Sequence, residues 1–396
     1  MDPGTADTVD TVDPGHHAAS RPRRILMVAG EASGDLHGAN LAAAIHGLDP
    51  NVEMTGIAGT RMRAAGVRAI INTEDIAGLG VAELASTIGR TVGAMRALRT
   101  ILWRDPPDLA ILIDYAEFNM ILSGVARRAG VPVLYYIVPQ VWAWRRGRIG
   151  KLVRRADRLA VVFPFEADVY SSAGSRVAFV GHPLLDLARP AQDRAATLTR
   201  HGLPPDARLL AILPGSRRGE VRYMLGPMAA AAHQLAARNG LIPWIAQAPT
   251  LTANDLREHA GDSFAGLRIF DSDTYSIIAA SELALVASGT ATLETALLGC
   301  PMVIAYKMSP LTYAIARMLV SGVDFIGMPN ILAGRRIVPE LIQGDVTAAG
   351  FVEAGEPMLS EPVRSRVRAD LAMIRDRLGT PGAAARVAAL ALEMTK

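Results

Sequence analysis

What most constrains this chain is a pattern that recurs along it: a short apolar run, a turn of small residues, then a helical periodicity. Its sharpest instance lies late in the sequence. Leu283–Val286 runs into Ser288, Gly289 and Thr290, and a helical pattern follows at once. That is a strand, a tight turn and a helix opening. The first turn of a helix carries free N–H groups and the positive end of its dipole, so it attracts phosphate. Ser288 and Thr290 are of the type that caps a helix, and Gly289 lets a ligand approach the backbone closely. Glu294, one turn in, can bring a carboxylate back toward the same mouth, where it suits a pair of ribose hydroxyls. An ordinary capped helix with Glu294 solvated uses the same residues.

Three other stretches repeat the pattern. RRILMVAG leads through Gly30, Ser33 and Gly34 into a helix. This turn is not GxGxxG, so the dinucleotide fingerprint is absent. It reads equally as a binding loop or as a plain connection with Asp35 and His37 solvated. Leu109–Ile113 is a buried strand with Asp114 at its carboxyl end, and Glu117 stands at the start of the next helix. Open parallel sheets gather their sites at that end of the strands, so either carboxylate can serve as a general base there; helix capping is the alternative use of Glu117. Leu209–Leu213 leads through Gly215 and Ser216 to Arg217 and Arg218, where Ser216 can cap and the arginines can meet an anion. Two such mouths in one half of the chain suit a diphosphate. Alternation of this kind specifies α/β layers with parallel sheets.

Length decides how many. At 396 residues the chain is long for a single core, and two domains follow. Half the residues are hydrophobic and only 5% aromatic, which suits sheets and helices built from Ala, Leu, Val and Ile. The net charge of +3 is too small for a general nucleic-acid binder, so any basic surface has to be local. The one cysteine, Cys300, excludes an internal disulfide, fits a reducing compartment and reads as a small core residue. No apolar run reaches membrane-spanning length, and residues 1–20 have no apolar segment of the secretory kind, reading instead as a disordered tail.

Further polar residues stand out against this framework. Glu83 sits in an apolar, glycine-rich surround, where a carboxylate is costly without a partner. His182 follows Gly181 just past a strand, on the edge that faces ligand. Trp142 and Trp144 precede Arg145, Arg146, Arg148, Lys151, Arg154, Arg155 and Arg158, with Asp157 the only acid among them. Tryptophans settle at a membrane interface and cations meet phosphate headgroups, so a membrane-facing cluster is one reading and a solvated basic helix another. Asn330 and Arg335 are polar points in an apolar region near the end of the second half.

Together these segments resemble the lipid-A-disaccharide synthase family, nucleotide-sugar glycosyltransferases of the GT-B type. The resemblance is carried, in order, by VAGEASGDLHGANL (28–41), YYIVPQVWAWR (135–145), FPFE (163–166), VGHPL (180–184), LPGSRRGEV (213–221), ASGTATLE (287–294) and PNILAGRRIVPELIQ (329–343). Departures occur where the family's Asp-Ala-Pro-Asp-Phe-Asn is Asp114-Tyr115-Ala116-Glu117-Phe118-Asn119, and where its Ser before Pro-Gln is Val138.

The resemblance implies two Rossmann-like domains facing across a cleft, with a C-terminal helix crossing back to the first. The boundaries are 21–187 for the acceptor and membrane side, 188–360 for the donor side, and 361–396 for the returning helices. It implies Asp114, Glu117, Glu83 and His182 as catalytic candidates. Gly215, Ser216, Arg217, Ser288, Gly289, Thr290, Ala291, Thr292 and Glu294 fall to the UDP donor. Glu31, Ser33, Gly34, Asn119, Gln140, Trp142, Asn330 and Arg335 fall to the acceptor. No metal or other cofactor is expected. The expected partners are UDP-2,3-diacylglucosamine, 2,3-diacylglucosamine 1-phosphate, the cytoplasmic face of the inner membrane, and a second copy exchanging C-terminal parts. Alternatives within the same fold are a UDP-GlcNAc epimerase, a glycosyltransferase with another lipid acceptor, and an inactive membrane-surface lipid-binding homologue.

Overall fold

A computed structural model describes residues 21–76, 84–144, 146–310, 312–313 and 324–395. The chain forms two parallel sheets, one from each half. The first takes β1 (Arg24–Ala29), β2 (Glu53–Ala58), β3 (Arg68–Asn72), β4 (Leu109–Ile113), β5 (Val133–Tyr136), β6 (Arg158–Val161) and β7 (Val177–Phe179) in the order β3-β2-β1-β4-β5-β6-β7. The second takes β8 (Arg208–Leu213), β9 (Leu241–Ala246), β10 (Arg268–Phe270), β11 (Ser281–Ala287), β12 (Met302–Tyr306) and β13 (Glu340–Ile342) in the order β10-β9-β8-β11-β12-β13. Central strands such as β4 are buried at every residue, as helices on both faces require.

The strand order reverses between β1 and β4 in one sheet and between β8 and β11 in the other. Ala29 there pairs with Ile113, and Val286 with Leu213. These are the switch points at which open α/β sheets leave a crevice at their carboxyl ends. The four turns that the sequence singles out, after Ala29, Ile113, Leu213 and Ala287, are the turns at these two points.

Five strands escaped the sequence reading: β3, β10 and β13 at sheet edges, the last two only three residues long, and β6 and β12 inside the sheets. The β3 residues alternate between half-buried and exposed, so no continuous apolar run marks them. The basic stretch after Trp144 is also less regular than its periodicity suggests. It divides into a 3-10 turn (Arg146–Arg148) and a short helix (Ile149–Arg155).

The C-terminal region splits between the two halves. Helix Glu361–Arg377 packs on helices Thr290–Leu297 and Met328–Ala333 of the second half, and only helix Ala383–Glu393 lies against Ala32–Leu48 of the first. The turn between them is pinned to the first half. Gly382 N–H donates to both Asp186 oxygens at 2.9 Å, Arg386 Nε donates to the Val180 carbonyl at 2.9 Å, and His182 N–H donates to the Leu378 carbonyl at 3.1 Å. No helix among the described residues is long and apolar enough to cross a membrane.

Candidate active site

A cavity of about 580 Å³ lies between the two sheets. From the first half it is lined by Ser33, His37, Asp114, Gln140, Trp142 and His182, and from the second by Arg217, Glu220, Ser288, Gly289, Thr290 and Tyr306.

Asp114 is the carboxylate the cavity singles out. It follows β4 directly, and both it and Tyr115 are left-handed, with φ of 48°. Two successive non-glycine residues in that region are strained, and strain of this kind is kept where surrounding structure over-determines it. Here Asn119 and Tyr135 do so. Asn119 is fully buried and its amide donates to the Asp114 carbonyl at 2.9 Å and the Ile113 carbonyl at 3.2 Å, while the Tyr135 hydroxyl reaches the Asp114 carbonyl at 3.3 Å. The Tyr115 ring lies where a Cβ on Gly30 would stand, 2.2 Å from it, so the first turn needs glycine at that point. Ile137, on the next strand's exit, is left-handed as well at φ 56° and lines the same cavity. Burial pushes the Asp114 carboxyl up to about 6, the nearby Glu31 charge adds to the rise, and the Tyr115 backbone N–H opposes it. A carboxylate poised there is ionised at neutral pH and basic enough to take a proton.

His182 reaches the cavity in a different state. Burial, with His37 as a second cause, pushes its imidazole down to about 3, and burial pushes His37 to about 4. Its Nδ1 accepts the Leu184 N–H at 3.2 Å, which leaves the proton on Nε2. His182 is thus a neutral donor toward the cleft rather than a base. His37, for which the sequence left a binding loop and a solvated turn equally open, is buried, and Asp35 beside it accepts the N–H groups of Arg61 and Met62 at 3.0 Å each.

On the opposite wall the caps differ from expectation. Ser288 and Thr290 do not cap helix Thr290–Leu297: its N-terminus carries no side-chain cap, and the Ser288 hydroxyl donates to the Ile326 carbonyl at 3.2 Å. That end is left open to the cavity. Helix Arg218–Asn239 starts one residue later than a Ser216 cap implies, and the N–H groups just ahead of it are used internally. Glu220 accepts from Ser216 N–H at 3.1 Å and Arg217 N–H at 3.4 Å, and its other oxygen meets the Arg217 guanidinium at 3.1 Å. Arg218 turns away to Asp255 at 3.1 Å. Arg217 is the cation that stays at the cleft, also facing Glu31 of the first half at 3.6 Å.

Several other candidates lie elsewhere. Glu117 is outside the cavity lining, and both its oxygens accept from Arg148, at 2.7 and 2.8 Å. Asn119 acts on the backbone as described. Asn330 is fully buried with every polar position used: its oxygen accepts from Ile337 and Val338, and its amide donates to the Val338 carbonyl and to Glu340. Arg335 is exposed and paired with Asp370 at 2.5 Å. Gly34 packs against Ala29, Thr292 donates to the Gly289 carbonyl, and neither they nor Gly215, Ser216 or Ala291 line the cavity. Glu294 is half-buried behind Thr290; the Tyr275 hydroxyl donates to it at 2.8 Å, and burial raises its carboxyl.

Of the tryptophan and arginine cluster, Trp142 is buried, its indole N–H donating to Glu166 at 3.1 Å. Arg148 is paired with Glu117 and Arg155 turns in to the Met120 carbonyl at 2.6 Å, while Lys151 and Arg154 are exposed. Glu83 and Arg145 lie outside the described residues, as do the side chains of Trp144 and Arg146. The residues that sequence reasoning missed are Glu220, His37 and Tyr306. Glu220 escaped because the residue three positions before it is Arg217 and not the Ser or Thr that a capping pattern needs.

Two parallel sheets closing on one cleft define the GT-B architecture, and solved structures share it. Among them are CalG4, the calicheamicin glycosyltransferase (TM-score 0.60, 17% identity, 94% of this chain and 98% of that one), and S. aureus MnaA bound to UDP (TM-score 0.63, 10% identity, 92% and 94%). At those identities the likeness is one of fold. Sequence carries it further. A family model described as lipid-A-disaccharide synthetase matches residues 25–386. The lipid-A-disaccharide synthase of Geobacter sulfurreducens is 46% identical over 373 residues, covering 94% of this chain and 97% of that protein. That of Myxococcus xanthus is 38% identical over 377 residues, covering 95% and 98%. The chain belongs to the lipid-A-disaccharide synthetase family.

Proposed function

We propose that the chain transfers 2,3-diacylglucosamine from UDP to the 6-hydroxyl of 2,3-diacylglucosamine 1-phosphate, inverting the anomeric centre. Glycosyl transfer from a UDP-sugar in lipid A biosynthesis is what the family does; the two substrates are the finer part of the reading. In one displacement the acceptor oxygen bonds to the donor's anomeric carbon, the bond to the diphosphate oxygen breaks, and Asp114 takes the hydroxyl proton. UDP leaves with its charge met by Arg217 and the open N-terminus of helix Thr290–Leu297, so no divalent ion is called for. His182 Nε2–H donates to a sugar oxygen, and Glu294 reaches the ribose by exchanging the Tyr275 hydroxyl for it. The single observation that carries this reading is the cavity that sets Asp114 of one sheet opposite Arg217 and Thr290 of the other.

Membrane association belongs to the same proposal, on a face that differs from the tryptophan cluster. Helix Leu84–Arg104 contains four arginines and no acid. Arg96, Arg99 and Arg104 are exposed beside Val92 and Trp103, the latter 56% exposed, and the adjoining helix Ala116–Arg128 exposes Ile121, Arg127 and Arg128. Cations interleaved with exposed apolar side chains suit an anionic bilayer surface. A homodimer exchanging C-terminal parts rests on the family resemblance alone.

The test is mass spectrometry of purified protein with both diacylated glucosamines and detergent, run with and without EDTA. A disaccharide of the expected mass with released UDP is the expected result. UDP bound without product would move the acceptor to another lipid, and product lost on adding EDTA would overturn the metal-free step. Co-sedimentation of the same preparation with phosphatidylglycerol vesicles, absent with phosphatidylcholine alone, checks the surface.

A further inference from the structure

The cleft leaves a second concavity unused. It holds about 800 Å³ and is walled by Ile149, Phe165 and Val169 of the first half and Ile331 and Ala333 of the second. Trp142 and Ile331 border both this groove and the cleft. A row of rings joins the two spaces. His182 lies 5.0 Å from Phe163, Phe163 stacks on Phe165 at 5.7 Å, and Phe165 meets Trp142 edge-on at 4.8 Å. His182 and Phe163 border the cleft, Phe165 the groove, and Trp142 both.

The partition is tied to the backbone behind it. Trp142 donates its indole N–H to Glu166, a fully buried carboxylate that also accepts the Val162 and Phe163 N–H groups at 3.2 and 3.1 Å. Arg377, at the groove's edge, gives its guanidinium to the Leu332 carbonyl at 2.6 Å, and Asp168 is the other charged residue there. Nine of the eleven residues that line the groove are apolar or glycine, so a hydrocarbon chain finds side-chain contact along it while a polar group finds chiefly Asp168 and Arg377. A groove of this size, walled mainly by apolar side chains and adjoining the carboxylate and arginine of the cleft, matches a ligand with a polar head and an apolar tail.

We infer that the groove holds a fatty acyl chain of the sugar whose hydroxyl faces Asp114, and that its length sets which acyl chains the protein accepts. This rests on the lipid-bearing sugar of the proposed function and adds where the chain lies. Ala333 and Ile149 touch the groove and not the cleft, so a bulky residue at either shortens the one and spares the other.

Isothermal titration with dimyristoyl- and dibutyryl-glucosamine 1-phosphate, on wild type, Ala333→Trp and Ile149→Trp, reads this directly. Wild type is expected to prefer the myristoyl ligand by about tenfold or more, as added methylenes in an apolar pocket require. Each variant should bring that ratio toward one while butyryl binding stays within about twofold, with circular dichroism confirming the fold. Two folded variants that keep the wild-type ratio would overturn the groove assignment. Turnover with the same ligands separates the two readings. The expected ratios without disaccharide from any protein would discard the transfer and keep the groove; disaccharide formed with unchanged ratios would do the reverse.

Discussion

Two βα turns face each other across the cleft, and they treat charge in opposite ways. The turn after β4 holds its carboxylate with no arginine or lysine paired to it among the described residues, over two left-handed residues locked by Asn119 and Tyr135. The turn after β8 has the opposite economy. Its open N–H groups and its arginine are already met by Glu220 within the same helix. Both turns look like ligand sites in the sequence. One is kept reactive by strain and burial, and the other is quietened by its own third helical residue. The contrast teaches that a helix start attracts an external anion only where the chain has not supplied one, which here is the uncapped helix at Thr290.

The largest expected effect breaks the first side of the contrast. Asp114→Asn should lower kcat by about a hundredfold to ten-thousandfold, the range of general-base loss, with UDP affinity by calorimetry nearly unchanged; lost UDP binding would remove Asp114 from the acceptor side. With the carboxyl at about 6, kcat/KM of wild type should rise with pH through about 6 and level off above it. The same raised value means that the folded state holds this proton more tightly than the unfolded state, whose carboxyl titrates near 3.8. Asp114 therefore withdraws stability as pH climbs between those values, and the Asn variant should lack that slope in thermal melts.

A smaller effect tests the second side. Glu220→Gln removes a negative charge from the donor wall but keeps an acceptor oxygen, so UDP should bind about threefold tighter while the helix start loses about 1 kcal/mol. Weaker UDP binding instead would mean that the carboxylate organises the donor site. The smallest effect is at Glu117, whose side chain is 66% exposed in its pair with Arg148. Glu117→Gln should leave kcat/KM within about twofold and stability within about 0.5 kcal/mol, as exposed pairs do; a large fall in kcat would restore Glu117 to the chemistry.

Legibility followed the number of neighbours a residue needs. Leu109–Ile113 was read from its apolar run with the bounds it has, since a buried strand advertises itself locally. Strands β3, β10 and β13 were not, nor were β6, which begins inside the basic stretch, and β12, because such short strands are held by their partners' hydrogen bonds rather than marked by a long apolar run of their own. Asn330 looked like a site residue because a polar side chain in an apolar stretch suggests function, and Asn119 entered through the family resemblance. Both instead satisfy buried backbone groups, a use that only the folded surroundings reveal. Arg155 misled in the same manner, as an arginine in a basic stretch reads as surface until the Met120 carbonyl is seen to turn it inward.

By itself the sequence determined the alternation of strand, small turn and helix, the division into two halves, and the four turns that matter, because these depend on neighbours within a few residues. Tertiary structure alone decided that those four turns share two switch points facing one cavity. It also decided that burial lifts Asp114 while desolvating His182 into a neutral donor, and that Trp142 stands between cleft and groove. Burial and cross-sheet proximity are properties of the packed chain, set by residues hundreds of positions apart, and no local pattern encodes them.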